Sequence, residues 1–313
     1  MRVLFSGTPA VALPALQALL ASDHEVVGVL TRPPAPAGRR RTLTPSPVHQ
    51  AALEHGLPVI TSDRPHTGEV LAQIHATGAQ ISAVVAYGAL LREPALSVLP
   101  YGWVNLHFSL LPAWRGAAPV QHAIRAGDTT TGVTTFQIEA GLDTGPVLAT
   151  RSHPIRPWDT AGDLLETLAE VGAPVLVDTL DQIEAGTAAP VPQPSTGISH
   201  APRVTSADAR VDWHVPAHVI DQQIRATTPA PGAWTTVSGR RLKVAPVRPE
   251  TGLPAQPPGS VTVDAGGVVV GTGSHPVRLT RVSPAGKGWM EAADWVRGAR
   301  LELSSRLGGD DHE

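Results

Sequence analysis

Short apolar runs alternate with helical patterns along the first part of the chain, and this alternation limits the fold more than any other feature of the sequence. Residues 2–6, 26–30 and 81–86 have the length and apolar content of buried strands. Between them, residues 48–54 and 69–76 place apolar side chains at helical spacing. Strands that alternate with helices predict an α/β domain with a mainly parallel sheet.

The turn after the first strand bears on which cofactor such a sheet could bind. Gly7-Thr8-Pro9 leads into a helix whose apolar face includes Leu13 and Leu16. Dinucleotide-binding domains also open with a strand, a glycine turn and a helix, but the G-x-G-x-x-G pattern does not follow here. The sequence therefore disfavours a nicotinamide cofactor, and with it an oxidoreductase.

The carboxy-terminal part of the chain has a different pattern. A predicted helix at residues 215–226 is followed by short apolar strands between glycine and proline turns, which predict a small, OB-like β-barrel. These strands are residues 234–237, 242–244, 260–263, 268–271 and 277–282. A stretch rich in Pro, Gly, Ser and Thr separates the two patterns. We therefore expect a first domain at residues 1–187, a linker at 188–206 and a barrel domain at 207–313.

Composition excludes several kinds of protein and of chemistry. No apolar run approaches the roughly 20 residues of a membrane span, and we identify no export signal, so we expect a cytoplasmic protein, monomeric by default. The absence of cysteine excludes disulfides, thiolate nucleophiles and cysteine-ligated zinc. Residues 201–306 hold 13 Lys and Arg against 8 Asp and Glu. This excess indicates either ordinary surface scatter or a polyanionic partner.

The residues suited to chemistry lie between residues 104 and 147. Residues 104–109 alternate strictly, which predicts a strand with one apolar and one reactive face. The apolar face comprises Val104, Leu106 and Phe108, and the reactive face comprises Asn105, His107 and Ser109. Pro112 ends the strand, because proline has no N–H for a ladder bond. Asp143 lies in a glycine turn, residues 141–145, between two later strands.

Asn105, His107 and Asp143 could act together on one group. Asn105 and His107 are two residues apart, so both can hydrogen-bond a carbonyl oxygen that becomes an oxyanion. Asp143 could orient His107 and favour its charged form. Without cysteine or a G-x-S-x-G elbow, direct attack by an amine or by water fits best. Each residue alone has a simpler explanation, since His107 is one of 13 histidines and Asn105 could be a strand cap.

Several motifs resemble those of folate-dependent formyltransferases. The strongest are NLHFSLLPAWRGAAPVQ at 105–121 and GVTTFQIEAGLDTGPVL at 132–148. The motifs FSGTP, PAGRRRTLTPSPV, VVAYG, ARVDW and PAPGAW narrow the resemblance to the family that formylates methionyl-tRNA. The Asn, His and Asp pattern is also similar to glycinamide ribonucleotide formyltransferases and folate hydrolases. It therefore specifies the chemistry better than the acceptor.

The resemblance implies a Rossmann-like formyltransferase domain and a tRNA-binding barrel. It implies transfer of the formyl group of 10-formyltetrahydrofolate to the α-amino group of methionyl initiator tRNA, without a metal. Asn105 and His107 would stabilise the formyl oxyanion, while Asp143 orients His107 and helps to move protons. The implied folate contacts are Val85, Tyr87, Leu91, Ser109, Leu110, Leu111, Pro112 and Gly141. The implied tRNA contacts are Arg39, Arg40, Arg41, Arg203 and Lys243.

Other interpretations stay open at this point. The acceptor could be an amino sugar, another small amine or water, or the chain could be a noncatalytic tRNA-binding protein. The proline-rich basic segment at 31–47, for which we expect no regular structure, could be a solvated connector or could bind phosphate.

Overall fold

The computed structural model describes residues 1–37, 42–299 and 306–309. Contacts between Cα atoms divide the chain into two compact units. The first unit comprises Met1–Pro119, Thr130–Pro154 and Leu165–Pro202, and the second comprises Val120–Thr129, Ile155–Leu164 and Arg203–Glu313. The domain boundaries expected at 187 and 206 stay predictions.

Helices and strands alternate through the first part of the chain, and short strands follow in the last. The α-helices are α1 (Leu13–Leu20), α2 (Pro47–Glu54), α3 (Gly68–Ala76), α4 (Pro119–Ala126), α5 (Ala161–Glu184), α6 (Ala217–Ala226) and α7 (Ala292–Ala299). The strands up to residue 201 are β1 (Arg2–Gly7), β2 (Glu25–Thr31), β3 (Ala35–Ala37), β4 (Thr42–Thr44), β5 (Val59–Thr61), β6 (Ile81–Val85), β7 (Trp103–His107), β8 (Arg115–Gly116), β9 (Thr130–Gln137), β10 (Val147–Pro154) and β11 (His200–Ala201).

A seven-stranded sheet forms the centre of the first unit, in the order β10-β9-β7-β6-β1-β2-β5. The strands β5, β2, β1, β6 and β7 run parallel, whereas β9 is antiparallel to β7 and β10 is antiparallel to β9. The predicted α/β class with a mainly parallel sheet is confirmed. Because β6 and β7 are parallel neighbours, the loops after them start at the same edge of the sheet.

The basic segment between β2 and α2 contains regular structure, so the expectation of none at 31–47 is wrong. Strands β3 and β4 pair antiparallel, with Pro36 opposite Leu43. A proline is compatible with a two-stranded ribbon because an edge strand has an unpaired side that needs no N–H. Arg39, Arg40 and Arg41, the predicted tRNA contacts in this segment, lie outside the described residues.

The second unit contains antiparallel strands, as the sequence predicts. Its strands are β12 (Trp234–Val237), β13 (Arg240–Val244), β14 (Arg248–Pro249), β15 (Val261–Asp264), β16 (Gly267–Val270), β17 (Val277–Leu279), β18 (Arg281–Pro284) and β19 (Met290–Glu291). They form two four-stranded sheets, β12-β13-β18-β19 and β14-β17-β16-β15. The single strand expected at 277–282 is two strands, β17 and β18, which belong to different sheets.

One apolar core holds the second unit together. It takes Leu242 from one sheet, Val268 from the other and Ile224 from α6. Trp213 is buried in the same core, and its indole N–H donates to the Thr235 hydroxyl at 2.9 Å. Among the described residues, no helix has both the length and the apolar character that a membrane crossing requires.

Candidate active site

Strand β7 places Asn105 and His107 in the middle of the seven-stranded sheet. Asn105 pairs with Val84 of β6 on one side and Phe136 of β9 on the other, and His107 pairs with Thr134. The strand ends at His107, at the edge where parallel strands end. In parallel α/β sheets, ligands bind outside this edge.

A cavity of about 530 Å³ opens at this edge. Its apolar lining includes Tyr87, Leu90, Leu91, Leu106, Phe108, Ile138 and Leu142. Its polar lining includes Asn105, His107, Glu139 and Asp143. A volume in the range of about 300 to 1,000 Å³, apolar walls and a few convergent polar groups are typical of small-molecule sites. The three residues that the sequence singled out for chemistry therefore lie in one ligand-sized pocket.

The expected separation between an apolar face and a reactive face of β7 is wrong at its end. Phe108, assigned to the apolar face, lines the same pocket as Asn105 and His107. The reason is that β7 stops at His107, so the strict alternation does not extend to Phe108 and Ser109. Phe108 therefore contributes a large apolar wall to the site.

A hydrogen bond from the backbone orients the His107 ring. Its Nε2 lies 2.9 Å from the carbonyl oxygen of Trp114. A carbonyl oxygen only accepts, so the Nε2 nitrogen carries the proton in the neutral ring. Neutral His107 therefore has its lone pair on Nδ1. The Phe136 ring also packs edge-on against the imidazole, with 6.3 Å between the ring centroids.

Asp143 acts on His107 through charge. Its Oδ2 lies 3.9 Å from His107 Nδ1, which is beyond hydrogen-bonding distance, and accepts instead from the backbone N–H of Gly116 at 2.7 Å. Asp143 has φ +52°, in the left-handed region that non-glycine residues rarely adopt. In this structure the orienting bond to the imidazole thus comes from Trp114, and Asp143 supplies negative charge beside Nδ1.

Burial controls the protonation of His107. The ring is only 6% exposed, and this desolvation lowers the pKa of His107 below its usual value of 6.5. The Asp143 carboxylate and the hydrogen bond to Trp114 raise the pKa and so oppose the effect of burial in part. The net lowering means that His107 is mainly neutral at pH 7 and that Nδ1 can accept a proton.

The Asn105 amide is available to a ligand. Within the part of the chain that the structure describes, no protein group hydrogen-bonds this side chain, although it is half-buried and lines the pocket. Its N–H donors can therefore bind an oxygen that enters beside His107.

The residues predicted to bind folate divide into two sets. Tyr87, Leu91 and Gly141 line the pocket. The Tyr87 hydroxyl donates its hydrogen bond to the Ser62 carbonyl at 2.7 Å, which does not belong to the pocket lining. Burial raises the pKa of Tyr87. Tyr87 thus offers its ring rather than its hydroxyl.

The second set does not line the pocket, and its contact with folate stays a prediction. It comprises Val85, Ser109, Leu110, Leu111 and Pro112. Val85 and Ser109 are fully buried. The Ser109 hydroxyl donates to the Ala113 carbonyl at 2.6 Å, and the Leu111 N–H donates to the Thr134 hydroxyl at 3.1 Å. These contacts shape the turn that brings the Trp114 carbonyl to His107.

Two apolar lining residues are absent from the implied folate contacts, although they lie within residues 84–91 and 140–143, where the resemblance implies the pterin pocket. Leu90 and Leu142 are both more than half exposed and stand at the mouth of the pocket. Each lies one or two residues after a glycine, Gly88 or Gly141, in a loop that follows a strand. An exposed leucine in a glycine loop at a strand end was the available signal.

The remaining predicted tRNA contacts lie in the second unit. Arg203 and Lys243 are exposed, and Lys243 belongs to β13. Arg241, two residues before Lys243 in β13, stacks its guanidinium on the Trp234 ring, 4.1 Å from the ring centroid. Among the described residues, no group of three or more His, Asp or Glu side chains is arranged to hold a metal ion.

Comparisons with known proteins identify the family of the chain. The family model for formyl transferase matches residues 1–180, and the model for the formyl transferase C-terminal domain matches residues 203–300. The methionyl-tRNA formyltransferase of Acidothermus cellulolyticus is 54% identical over 323 residues, which cover 98% of this chain and 100% of that protein. The methionyl-tRNA formyltransferase of Thermobifida fusca is 55% identical over 310 residues, covering 99% and 100%.

A solved structure shares the fold. The N-formyltransferase from Helicobacter canadensis, in complex with folinic acid and dTDP-3-aminofucose, superposes with a TM-score of 0.66 at 16% identity, covering 88% of this chain and 98% of that one. At this identity the likeness shows the fold alone. On the two family models and the relatives above 50% identity over nearly the whole length, the chain belongs to the methionyl-tRNA formyltransferase family.

Proposed function

We propose that this enzyme transfers the formyl group of 10-formyltetrahydrofolate to the α-amino group of methionyl initiator tRNA. The observation that carries the proposal is the convergence of Asn105, His107 and Asp143 in one apolar pocket at the end of β7. Family membership supports the tRNA acceptor, and the folinic acid in the Helicobacter canadensis enzyme supports a folate-type donor.

The pocket walls fit the two parts of such a donor. The aromatic rings of Tyr87 and Phe108 and the apolar side chain of Leu91 would bind the fused ring, and the polar end would receive the formyl group. There the free Asn105 amide would donate to the formyl oxygen. A donor aimed at a developing oxyanion stabilises the transition state by about 3 to 4 kcal/mol.

Neutral His107 would accept the proton that the attacking amine loses. As the amine nitrogen bonds to the formyl carbon, its proton moves to Nδ1, the nitrogen that the Trp114 contact leaves unprotonated. The Asp143 carboxylate, 3.9 Å away, stabilises the imidazolium. The Nδ1–H can then donate to the formyl oxyanion and afterwards to the leaving nitrogen of the folate as its bond to carbon breaks. The proton count closes, and His107 returns to its neutral form.

Cationic side chains would hold the tRNA. Arg203 and Lys243 are exposed and carry positive charge, and Arg39, Arg40 and Arg41 are proposed to contact the acceptor end on the family resemblance alone. Phosphate contacts of this kind position the substrate without reading its bases. We further propose that the enzyme acts as a monomer in the cytoplasm, where translation uses initiator tRNA.

Transfer of a labelled formyl group tests the proposal. The purified full chain is incubated with 10-formyltetrahydrofolate labelled in the formyl group and with methionyl initiator tRNA. Elongator methionyl-tRNA and an amino-sugar nucleotide serve as alternative acceptors. We expect label in the initiator tRNA and little in the other acceptors. Label in the amino sugar, or release of free formate without transfer, would contradict the proposed acceptor.

A further inference from the structure

The side chain of Gln193 joins the two loops that supply the partners of His107. Its Nε2 donates to the carbonyl oxygens of Asp143 and Gly145, each at 2.8 Å. Its Oε1 accepts from Arg115, at 3.1 Å from Nε and 2.6 Å from Nη2. Both amide hydrogens and the amide oxygen are therefore in use, in a stretch that the sequence predicts to be only a linker.

Both loops contact the catalytic groups directly. In the first, Trp114 accepts the hydrogen bond from His107, and Gly116 donates its N–H to the Asp143 carboxylate. The second loop carries Asp143 itself. Gln193 hydrogen-bonds to both Arg115 and Asp143. It therefore links the loop whose Trp114 carbonyl orients His107 to the loop that carries the Asp143 carboxylate.

The Asp143 loop needs such a restraint. Asp143 has φ +52°, in the left-handed region that few non-glycine residues adopt, so contacts with its surroundings help to keep it there. The two hydrogen bonds from Gln193 lie on the carbonyl of Asp143 and on that of Gly145, on either side of Thr144. Without them the Gly116 N–H still binds the carboxylate, but the turn loses its link to Arg115, so both can shift relative to Nδ1.

Other contacts hold the segment in place independently of the Gln193 side chain. Val191 and Val147 exchange two backbone hydrogen bonds of 2.8 Å. The Ser199 hydroxyl accepts from the Trp114 N–H at 2.9 Å, and β11 pairs with β8. Removal of the Gln193 amide should therefore leave the path of the backbone at residues 191–201 unchanged.

We propose that Gln193 is a positioning residue that holds the Asp143 loop against the Arg115 loop and so keeps the Asp143 carboxylate beside His107. This inference rests on the proposed function, because it assumes that His107 takes up the proton of the attacking amine. Gln193 hydrogen-bonds to Arg115, Asp143 and Gly145 and not to the imidazole. It does not line the pocket in which the reacting atoms would lie.

The test substitutes Gln193 without adding charge. Gln193→Met keeps most of the side-chain volume and removes every hydrogen bond of the amide. Gln193→Ala removes the hydrogen bonds and most of the volume. Gln80→Met is the matched control, since Gln80 accepts from the Arg2 N–H at 2.9 Å at the start of β1. Formylation of methionyl initiator tRNA is measured from pH 5 to pH 9, and the pKa of His107 is measured by NMR in the unliganded protein.

We expect kcat to fall about 10- to 100-fold in both Gln193 variants, which is part of the rate enhancement that general acid–base catalysis contributes. KM for both substrates should stay within about twofold of the wild-type value. The pKa of His107 and the His107 limb of the kcat/KM profile should move to lower pH, as in Asp143→Asn, because the carboxylate raises the His107 pKa. The limb of the substrate α-amino group should stay in place. Gln80→Met should match the wild type.

Three results would overturn the inference. These are an unchanged kcat, a lower kcat with an unmoved His107 pKa, and loss of folding in both Gln193 variants, which would assign the residue to stability. An inactive wild type would instead refute the proposed function, and it is seen before any variant is compared.

Discussion

The Nε2–H of His107 donates to the carbonyl oxygen of Trp114 at 2.9 Å, and this one bond decides which nitrogen of the ring is basic. The proton on Nε2 leaves Nδ1 free on the side of Asp143, 3.9 Å away. The imidazole is thus prepared to accept a proton next to a negative charge, in a pocket large enough for a folate ring system.

Asn105→Ala should lower kcat about 10²- to 10³-fold, the usual effect of removing one oxyanion donor. The amide is expected to act on the charge that develops during transfer, so KM for the folate should change little. Steady-state kinetics at saturating methionyl-tRNA measure both constants. A large rise in KM with normal kcat would instead assign Asn105 to substrate binding.

The pH dependence of kcat/KM should contain two acid limbs, one from the attacking α-amino group, with a reference pKa of about 7.7 to 8.0, and one from His107. Burial lowers the pKa of His107, so the His107 limb should have its midpoint below about 6.5, the value of an unperturbed histidine. Asp143→Asn removes a charge that raises this pKa, so the limb should move further down in pH while the plateau falls. A shift to higher pH in Asp143→Asn would be incompatible with this assignment.

The same burial should make the stability of the protein depend on His107 at mildly acidic pH. The lowered pKa belongs to the folded state, so the unfolded chain binds a proton at a pH where the folded chain does not. The free energy of unfolding contributed by His107 is present above about pH 6.5 and is lost as pH falls below it. Urea unfolding at pH 7.5 and 5.5 should show a smaller stability loss for His107→Gln than for the wild type. Equal losses would show that His107 is not desolvated.

Arg39→Ala should damage the use of tRNA and spare the folate. A charge-assisted contact to phosphate contributes about 1.5 to 3 kcal/mol, so KM for methionyl-tRNA should rise about 10- to 100-fold. Arg64→Ala is a suitable control, because Arg64 is exposed in the first unit and its side chain makes no phosphate contact in the proposal.

The salt dependence of binding gives a second measure of the same contact. Affinity for tRNA should fall as salt rises, and the slope should be smaller in Arg39→Ala than in Arg64→Ala. A changed KM for the folate with unaltered tRNA use would refute the assignment of Arg39 to the tRNA.

Periodicity was enough to predict the sheet and the position of Asn105 and His107 at its edge. Buried parallel strands are continuous apolar runs, so β1, β2 and β6 are visible in the sequence. Asp143 is a candidate from its position in a glycine turn between two strands, and the motif resemblance supports its pairing with His107, to which no local pattern connects it. The end of β7 was less predictable, because Phe108 continues the alternation although the strand stops one residue earlier.

Contacts made by the backbone or across long separations could not be predicted. The group that orients His107 is the carbonyl of Trp114, and any residue type could have supplied it. Gln193 lies 50 residues from Asp143, within a proline-rich stretch whose composition is typical of a linker. Its role follows only from the packing of that stretch against the two loops.

The most direct test of the central claim is the rate of a single turnover in a preformed complex. Wild type and His107→Gln, each saturated with methionyl initiator tRNA, are mixed with excess 10-formyltetrahydrofolate, and formyl-methionyl-tRNA is followed by rapid quench. If neutral His107 accepts the proton of the amine, His107→Gln should be slower by about 10² to 10⁴ at pH values above the His107 pKa. Protonation of the substrate α-amino group gives an acid limb in both proteins, and the wild type should show a second limb below about pH 6.5 that His107→Gln lacks. A chemical step within a few fold of the wild type, or a second limb that persists in His107→Gln, would contradict the account.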